Sequence, residues 1–261
     1  MAINKLKMSR AQRLDKIRDE LSRQQEVSIE TLADKFCVTI MTIHRDFDFL
    51  ESQSEIVRTH GGATMAKRLT FEFAFRGQQN MHHQSKKAIA VCAGKEVKDG
   101  NTIMLDTGTT TLEIARCLKA KKNITIITTS LAIVSELQFA EGIQVIFLGG
   151  YLRSGSPDMH GPLTEDNIEK FRADIAFIGA DGVGCDADTF TDNLEVSSLS
   201  RRMAKNSSKV FVVSDSSKLG RESMVKVLSP ADYDMIITDN GVSDQILHKL
   251  KKKVKVNVVQ L

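Results

Sequence analysis

Short apolar runs rich in β-branched residues alternate with helical patterns along the C-terminal part of the chain, and this alternation constrains the fold more than any other feature. The runs cover residues 102–105, 124–127, 145–148, 175–178, 210–213, 235–238 and 254–259. Residues 86–97 and 110–118, on either side of the first run, have helical spacing. Strands that alternate with helices predict a layered α/β domain with a mostly parallel sheet, because a parallel connection needs a crossover of helix length.

The N-terminal part of the chain has a different pattern, which predicts three short helices. Its apolar residues recur at helical spacing in three sets: Ala11, Leu14, Ile17 and Leu21; Ile29, Leu32, Ala33 and Phe36; and Ile40, Ile43, Phe47 and Leu50. Ser28 and Thr39 precede the second and third sets, and both are good N-cap residues. The break between these helices, Cys37-Val38, is short enough for a helix-turn-helix, whose second helix enters the DNA major groove.

A predicted strand and a tight turn follow the third helix. Residues 56–60 read as the strand, and Gly61-Gly62 can adopt the positive φ that a turn requires. This pattern predicts a β-wing beside the recognition helix, with Arg58 and His60 placed to contact phosphates or the minor groove. The residues predicted to bind double-stranded DNA are Thr39, Met41, Thr42, His44, Arg45, Arg58, His60 and Gly61.

A chain of 261 residues is long enough for two unequal domains. We predict a winged helix-turn-helix domain at residues 1–65, a linker at 66–84 and a larger α/β domain at 85–261. Within the linker, Phe71, Phe73 and Phe75 alternate without a helical period.

Composition argues against several classes of protein. Apolar residues make up 41% and charged residues 26%, as in ordinary soluble globular proteins. No apolar run approaches the ~20 residues of a membrane helix, and the start of the chain lacks the apolar stretch of a signal peptide. We therefore expect a cytoplasmic protein without a membrane partner.

The cysteines and histidines predict no metal site and no cofactor. The scattered thiols of Cys37, Cys92, Cys117 and Cys185 are expected to be buried in a reducing compartment. His82-His83 has no visible acidic or thiol partner and is expected to lie in a solvated loop.

The loop after the first apolar run is the best candidate for a ligand site, because open α/β sheets bind ligands beyond the carboxyl ends of their strands. Residues 106–111 read Asp-Thr-Gly-Thr-Thr-Thr and lead straight into a helix. Glycine lets the backbone approach a ligand, and hydroxyl and N–H groups at a helix start suit a phosphate. The alternative is a hydroxyl-rich N-cap with nothing bound, since this is not a G-x-x-x-x-G-K-[ST] loop.

Other predicted strands also end in Gly, Ser, Thr, Asp or Lys, a mixture suited to a polyhydroxy compound with an anionic group. We expect Lys218 and Arg153 to pair with phosphate, and the acids among these residues to accept sugar hydroxyl groups. For any one acid, a helix cap or a surface salt bridge is the alternative role. The predicted effector-binding residues are Asp106, Gly108, Thr109, Thr110, Thr128, Ser130, Gly149, Gly150, Arg153, Asp181, Gly182, Glu195 and Lys218.

With these motifs in order along nearly its whole length, the sequence resembles the DeoR family of bacterial repressors. The stretches that carry the resemblance are 27–33 and 42–46 for the helix-turn-helix, 58–63 for the wing, and 106–110, 179–182 and 215–218 for the effector domain. The resemblance implies a C-terminal fold similar to ribose-phosphate isomerase and glucosamine-phosphate deaminase. It also implies a phosphorylated sugar as effector, a homodimer or homotetramer, and repression of a carbohydrate-utilisation operon.

Two positions depart from the family pattern. The family's recognition helix usually reads T-I-R-R-D, whereas His44 replaces the first arginine here. A neutral histidine donates one hydrogen bond and lacks the bidentate fork that suits guanine, so the operator is expected to differ. Residues 53–55 replace a glycine that commonly ends the helix, so the turn into the wing is expected to differ as well.

The patterns together favour a DNA-binding transcriptional repressor, not an enzyme, whose hold on operator DNA is released by a phosphorylated sugar; no catalytic residue is predicted. A sugar-phosphate isomerase or deaminase with an appended helical domain is the alternative, in which Lys218 and the carboxylates supply acid–base groups. A third possibility is a DNA-binding oligomer that has lost its effector.

Overall fold

The computed structural model describes residues 8–24, 26–52, 55–65, 81–153 and 156–261. The chain divides into two compact units, Met1–Gly77 and Gln78–Leu261. The division falls within the predicted linker at 66–84, most of which, with its three phenylalanines, lies outside the described residues. Each unit has a hydrophobic core of its own.

The first unit is a winged helix-turn-helix. Its helices are α1 (Arg10–Arg23), α2 (Ile29–Phe36) and α3 (Ile40–Ser52), and its strands are β1 (Glu26–Ser28), β2 (Ile56–Thr59) and β3 (Gly62–Met65). The strands form an antiparallel sheet in the order β1-β3-β2, in which β2 and β3 are the predicted wing. The three predicted helices and the wing are therefore confirmed.

The apolar stripes predicted for the three helices are the faces that pack together. Ile17 of α1, Leu32 of α2 and Phe47 of α3 are almost fully buried in one cluster. Full burial of such a side chain contributes about 1.5–3 kcal/mol. This shared core fixes the orientation of α3 within the unit.

The second unit is built on a seven-stranded sheet in the order β15-β14-β12-β9-β4-β5-β6, and every neighbouring pair is parallel. These strands are β4 (Thr102–Leu105), β5 (Ile124–Thr128), β6 (Ile143–Phe147), β9 (Ala173–Gly179), β12 (Ser207–Val213), β14 (Met235–Asp239) and β15 (Lys255–Val259). The predicted α/β class with a mostly parallel sheet is confirmed.

Helices cover both faces of this sheet. They are α4 (His83–Glu96), α5 (Thr109–Leu118), α6 (Leu131–Leu137), α7 (Pro162–Ile168), α8 (Leu194–Lys205) and α9 (Asp244–Lys251). Met104 of β4 lies in one buried cluster with Met203 of α8 and Leu250 of α9. Its strand neighbours Ile103 and Leu105 point to the opposite face, where α4 packs on α5 and β14.

Short antiparallel strands follow the carboxyl ends of β6 and β9. Strands β7 (Tyr151–Leu152) and β8 (Met159–His160) form one hairpin. Strands β10 (Gly182–Val183), β11 (Thr189–Thr191) and β13 (Val225–Lys226) form a separate small sheet. These additions stand at the edge of the parallel sheet where ligands are expected.

The start and the end of the second unit lie side by side. Gln84 and Lys87 of α4 border an open groove of about 760 Å³ together with Val259, Gln260 and Leu261 at the C-terminus. The chain therefore enters this unit close to where it leaves it.

The prediction of four buried thiols was wrong. Cys37 is exposed in the turn after α2, and Cys92, Cys117 and Cys185 are half-buried. Partial burial raises the pKa of the Cys92 and Cys117 thiols, which keeps them protonated near neutral pH.

Candidate functional sites

The turn between α2 and α3 is shaped by two residues. Cys37 ends α2 in the left-handed conformation, with φ of 54°. The hydroxyl oxygen of Thr39 then accepts a hydrogen bond from the N–H of Thr42 at 3.2 Å and so caps α3. Thr39 therefore has the capping role that its position predicts, which directs the start of α3 outwards.

Helix α3 is held to α1 by a buried ion pair. The carboxylate of Asp46, 1% exposed, accepts bonds from Arg13 Nε at 2.5 Å and Arg13 Nη2 at 3.1 Å. Arg10 Nε lies 3.4 Å from the same carboxylate. A paired charge of this kind fixes one side of α3 and keeps Asp46 away from approaching phosphates.

The predicted DNA-contacting residues of α3 lie in its N-terminal half. Met41 is 61% exposed and Arg45 is exposed, while Thr42 and His44 are half-buried. Arg45 and Thr42 line a groove between α1 and α3 that also includes Arg10. Among the described residues no ion pair or hydrogen bond occupies Arg45, so its guanidinium is available to a nucleic acid.

Arg58 of the wing points to α3. Its guanidinium contacts the carboxylate of Asp48, lies 3.7 Å from Glu51 Oε2, and donates from Nη2 to the carbonyl oxygen of His44 at 3.1 Å. It also stacks over the Phe47 ring, 5.1 Å from the centroid. The contact of Arg58 with phosphates stays a prediction, because in this structure its charge is used within the unit.

The tip of the wing consists of His60 and Gly61, both exposed. Gly61 has φ of +92°, a region that disfavours other residues. At Gly62 an added Cβ would lie 2.2 Å from the carbonyl oxygen of Val27, since β1 runs directly beside β3. The Gly61-Gly62 pair is thus explained by one turn and one close approach of strands.

In the second unit, a small cavity of about 80 Å³ lies at the carboxyl ends of β4, β9 and β12. The lining includes six of the predicted effector-binding residues: Asp106, Gly108, Thr109, Thr110, Asp181 and Lys218. Segments separated by as many as 112 residues in the sequence are therefore brought to one place by the parallel sheet.

The N-terminus of α5 forms one wall of this cavity. Gly108 is its N-cap, with φ of +142°, and Thr109 and Thr110 are buried at the first two helical positions. The first N–H groups of a helix have no acceptor within it, and the helix dipole adds partial positive charge there. This wall therefore favours an anion.

Asp106 lies beside that wall and is buried with no cation in contact among the described residues. Its carboxylate accepts bonds from Thr107 N at 2.8 Å, Gly179 N at 3.2 Å and Ser200 Oγ at 3.2 Å. Burial raises the pKa of Asp106 to about 7, and the three donors oppose that shift. The carboxyl joins β4, β9 and α8 beneath the cavity.

Two lysines bring positive charge to this region. Lys218 Nζ donates to Ala180 O at 3.1 Å and lies 3.8 Å from Asp181 Oδ1. Lys86 of α4 is 3% exposed, and its burial lowers its pKa, while Asp215 raises it and Lys218 lowers it further. These opposing effects place Lys86 within the electrostatic reach of both groups.

The other predicted effector-binding residues are outside the cavity lining among the described residues: Thr128, Ser130, Gly149, Gly150, Arg153, Gly182 and Glu195. Several have partners that explain them structurally. Arg153 forms a two-bond pair with buried Asp158, both at 2.9 Å. Ser130 caps α6, and an added Cβ at Gly150 would lie 1.9 Å from Thr164 Oγ1.

Glu195 and Thr128 also have partners in the fold. Glu195 Oε2 lies 3.1 Å from His160 Nδ1, next to the hairpin of β7 and β8. Thr128 donates to Leu105 O at 2.8 Å and so ties β5 to the end of β4. Their roles in effector binding stay predictions.

Several lining residues have no recognisable signal in the sequence. Thr191, Val196 and Ser200 reach the cavity from β11 and α8. No motif surrounds them, so only the packing of α8 on the sheet reveals them. Lys86 had one available signal, a lysine in a predicted helix that is otherwise largely apolar on its packed face.

The described part of the chain contains no group of three or more acidic, histidine or cysteine side chains that could hold a metal ion. Nor does it contain a helix with the length and apolar character needed to cross a membrane.

Two family matches cover most of the chain. Residues 13–68 match the DeoR-like helix-turn-helix domain, and residues 81–240 match the DeoR C terminal sensor domain.

Curated relatives are similar over nearly their full lengths. A proposed aga operon transcriptional repressor of Escherichia coli is 31% identical, over 93% of this chain and 91% of the relative. A glycerol-3-phosphate regulon repressor of Escherichia coli is 31% identical, over 89% and 92%. A lactose phosphotransferase system repressor of Lactococcus lactis is 30% identical, over 94% and 97%.

Solved structures with some similarity include ribose 5-phosphate isomerase A from Methanocaldococcus jannaschii. That enzyme is 23% identical, with 51% of this chain and 52% of that chain covered and a TM-score of 0.38. The translation initiation factor eIF-2B of Pyrococcus horikoshii is 18% identical, with 82% and 76% covered and a TM-score of 0.39.

Proposed function

Since the chain belongs to the DeoR family of transcriptional repressors, we propose that it represses a carbohydrate-utilisation operon and that a phosphorylated sugar in the cavity of the second unit controls its affinity for operator DNA. The observation that carries the second half of this proposal is the cavity itself. It combines the N-terminus of α5 with the ammonium group of Lys218. Repressors named for glycerol-3-phosphate and for a lactose phosphotransferase system are among the relatives, which supports this class of effector.

DNA binding follows from the exposed side of α3. Met41, Thr42 and Arg45 start the helix that a helix-turn-helix inserts into the major groove, so we assign them to base edges. Arg45 is the strongest candidate, because a guanidinium can donate two hydrogen bonds to guanine. The exposed wing tip, His60 and Gly61, is assigned to the DNA backbone.

The phosphate group is assigned to the N-terminus of α5. Its N–H groups, the hydroxyls of Thr109 and Thr110, and Lys218 are donors, and charge-assisted hydrogen bonds to phosphate are the strong class. Asp181 and Asp106 are acceptors in the same lining and suit sugar hydroxyl groups. The donors and acceptors thus match an anion joined to a polyol.

The size of the cavity sets how much of the effector it encloses. Its volume of about 80 Å³ is well below the roughly 300–1,000 Å³ of typical ligand pockets. We therefore assign the enclosed space to the phosphate and its nearest hydroxyl groups. The rest of the sugar lies toward the mouth, or the loops open to admit it.

The effector controls DNA binding only if it has different affinities for the DNA-competent and the free states. We propose that the sugar phosphate favours the free state and releases the operator. A homodimer or homotetramer is expected, and a dimer would place its two α3 helices on half-sites one helical turn apart or a multiple of it.

The experiment is fluorescence anisotropy of the full chain on a labelled duplex enriched from a random library. Hexose and pentose phosphates, the same sugars without phosphate, and inorganic phosphate are titrated into the complex. We expect one or more sugar phosphates to release the DNA and the unphosphorylated sugars to have no effect.

The matched variants are Lys218→Gln in the cavity and Lys209→Gln at an exposed position of β12. Lys218→Gln should need about tenfold more sugar phosphate for release, since a hydrogen bond to a charged group is lost, and Lys209→Gln should behave as the parent. Release by no sugar phosphate would leave the cavity without this role. Turnover of a sugar phosphate by the chain would favour the isomerase or deaminase alternative.

A further inference from the structure

His44 occupies a distinctive position on α3. It is half-buried on the side of the helix that faces the wing, four residues after the N-terminus at Ile40. Arg58 of β2 contacts it twice: Nη1 lies 3.4 Å from His44 Nδ1, and Nη2 donates to the His44 carbonyl oxygen at 3.1 Å. The wing therefore touches both the ring and the backbone of one recognition-helix residue.

The guanidinium of Arg58 is itself firmly placed. Asp48 and Glu51, one and two turns beyond His44 on α3, hold it electrostatically, and the Phe47 ring lies beneath it. The Arg58 side chain is only 24% exposed. Because these contacts leave the Arg58 side chain little freedom to rotate, Arg58 sets the orientation of the His44 imidazole. The imidazole does not set the orientation of Arg58.

A guanidinium has donors and no acceptor. The nitrogen that faces it, Nδ1, must therefore accept the hydrogen bond, and a ring protonated at Nδ1 would place two donors against each other. The single proton then sits on Nε2, for which the described residues supply no partner.

We infer that Arg58 is a positioning residue that fixes His44 as the Nε2–H tautomer, and that His44 reads a guanine in the operator through this one donor. In the major groove guanine presents two adjacent acceptors, N7 and O6. Adenine and thymine present one acceptor each, and cytosine presents a donor that this tautomer rejects. The inference rests on the proposed binding of operator DNA by α3, and it assigns base specificity to the contact between the wing and the recognition helix.

The first test reads the tautomer directly. In the full chain labelled with ¹⁵N-histidine, long-range ¹H–¹⁵N spectra distinguish Nε2–H from Nδ1–H rings, and His44→Gln assigns the signal. We expect the Nε2–H pattern in the parent and a mixture of tautomers in Arg58→Met. An Nδ1–H pattern in the parent would overturn the inference without bearing on DNA binding.

The second test reads base preference by selection from a random duplex library with the parent and four variants. The parent should select guanine at one position in each half-site. His44→Gln, whose amide nitrogen can replace Nε2–H, should still select a purine there through the N7 acceptor. His44→Asn places its amide near Nδ1 instead and should lose the preference, as should Arg58→Met. His60→Ala, the control at the wing tip, should keep it, since loss of a backbone contact weakens all sequences alike.

The base analogue 7-deazaguanine then removes the N7 acceptor at the selected position. We expect the affinity of the parent to fall about two- to tenfold, the range for one hydrogen bond, and that of His44→Asn to stay unchanged. Equal selection by parent and His44→Asn at every position would overturn the inference while leaving the proposed function intact. If the parent selects no sequence at all, both fail.

Discussion

In the first unit, Asp46 and Asp48 of α3 each pair with an arginine from another element. In the second unit, Asp106 is buried among N–H and O–H donors, and among the described residues no cation contacts it. Through these pairs Arg13 and Arg58 hold Asp46 and Asp48 of α3 in contact with α1 and β2. Asp106 and Lys218 instead border the cavity at the carboxyl ends of the strands. Ion pairs with arginine therefore tie α3 to its neighbours, whereas neutral donors hold the buried carboxyl of Asp106 in place.

The largest expected effect comes from breaking the pair beneath α3. Asp46→Ala leaves Arg13, 8% exposed, without its partner, and loss of one member of a buried pair costs about 3–5 kcal/mol. We expect the free energy of unfolding of the first unit to fall by that amount in urea titrations followed by circular dichroism. The double variant Arg13→Met/Asp46→Leu removes both charges and should recover most of the loss. A loss below about 1 kcal/mol in Asp46→Ala would remove this contrast between the units.

The pH dependence of stability tests the buried carboxyl of Asp106 in the second unit. The folded pKa of Asp106, about 7, exceeds that of a free aspartate, about 3.9. The folded state therefore binds the proton more tightly, and the buried carboxyl lowers the free energy of unfolding as pH rises from about 4 to about 7. Above pH 7 the loss in free energy of unfolding that is caused by Asp106 no longer changes with pH.

Asp106→Asn removes this titration. Relative to that of the parent, its free energy of unfolding should rise by about 3 kcal/mol between pH 5 and pH 8, from the same two pKa values. The exposed Asp166→Asn variant should track the parent across that range. Identical pH profiles for the parent and Asp106→Asn would show that the carboxyl ionises in the fold as freely as in the unfolded chain.

Smaller losses of stability are expected from the more exposed ion pairs of the two units. Arg18 bridges Glu55, whose side chain is 16% exposed, with bonds at 2.7 and 2.9 Å. Arg18→Met should lower the free energy of unfolding by about 1 kcal/mol. In the second unit Arg202 pairs with Glu165 and Glu169, which are 28% and 38% exposed, and Arg202→Met should cost less than about 0.5 kcal/mol. A larger loss at Arg202 would mean that surface pairs, too, hold the sensor unit together.

The sequence predicted those parts of the fold whose signals are local. Each parallel strand contains a largely apolar run such as residues 175–178, and each helix of the first unit has its own stripe. Strand β1 escaped prediction because its three residues gain strand structure only by pairing with β3, more than thirty positions away. The short strands after β6 and β9 also depend on their pairing, although β7–β8 and β10–β11 are local hairpins.

The residues of the candidate cavity also fall into those with a local sequence signal and those without one. Gly108, Thr109 and Thr110 could be found because one contiguous loop carries both the glycine and the hydroxyl groups. Ser200 could not, since a serine inside a helix carries no signal until α8 packs over β4 and β9. Arg153 has the chemistry of a phosphate ligand, but Asp158 nearby in the sequence already satisfies its guanidinium.

The adjacent ends of the second unit have an evolutionary consequence. Because Gln84 at the start of α4 and Leu261 at the C-terminus share one groove, this unit can be inserted into another protein, or circularly permuted, with little change to its core. A unit whose two ends are adjacent can be transferred between proteins as a whole. Such an insertion needs junctions only at this groove and leaves the seven-stranded sheet intact.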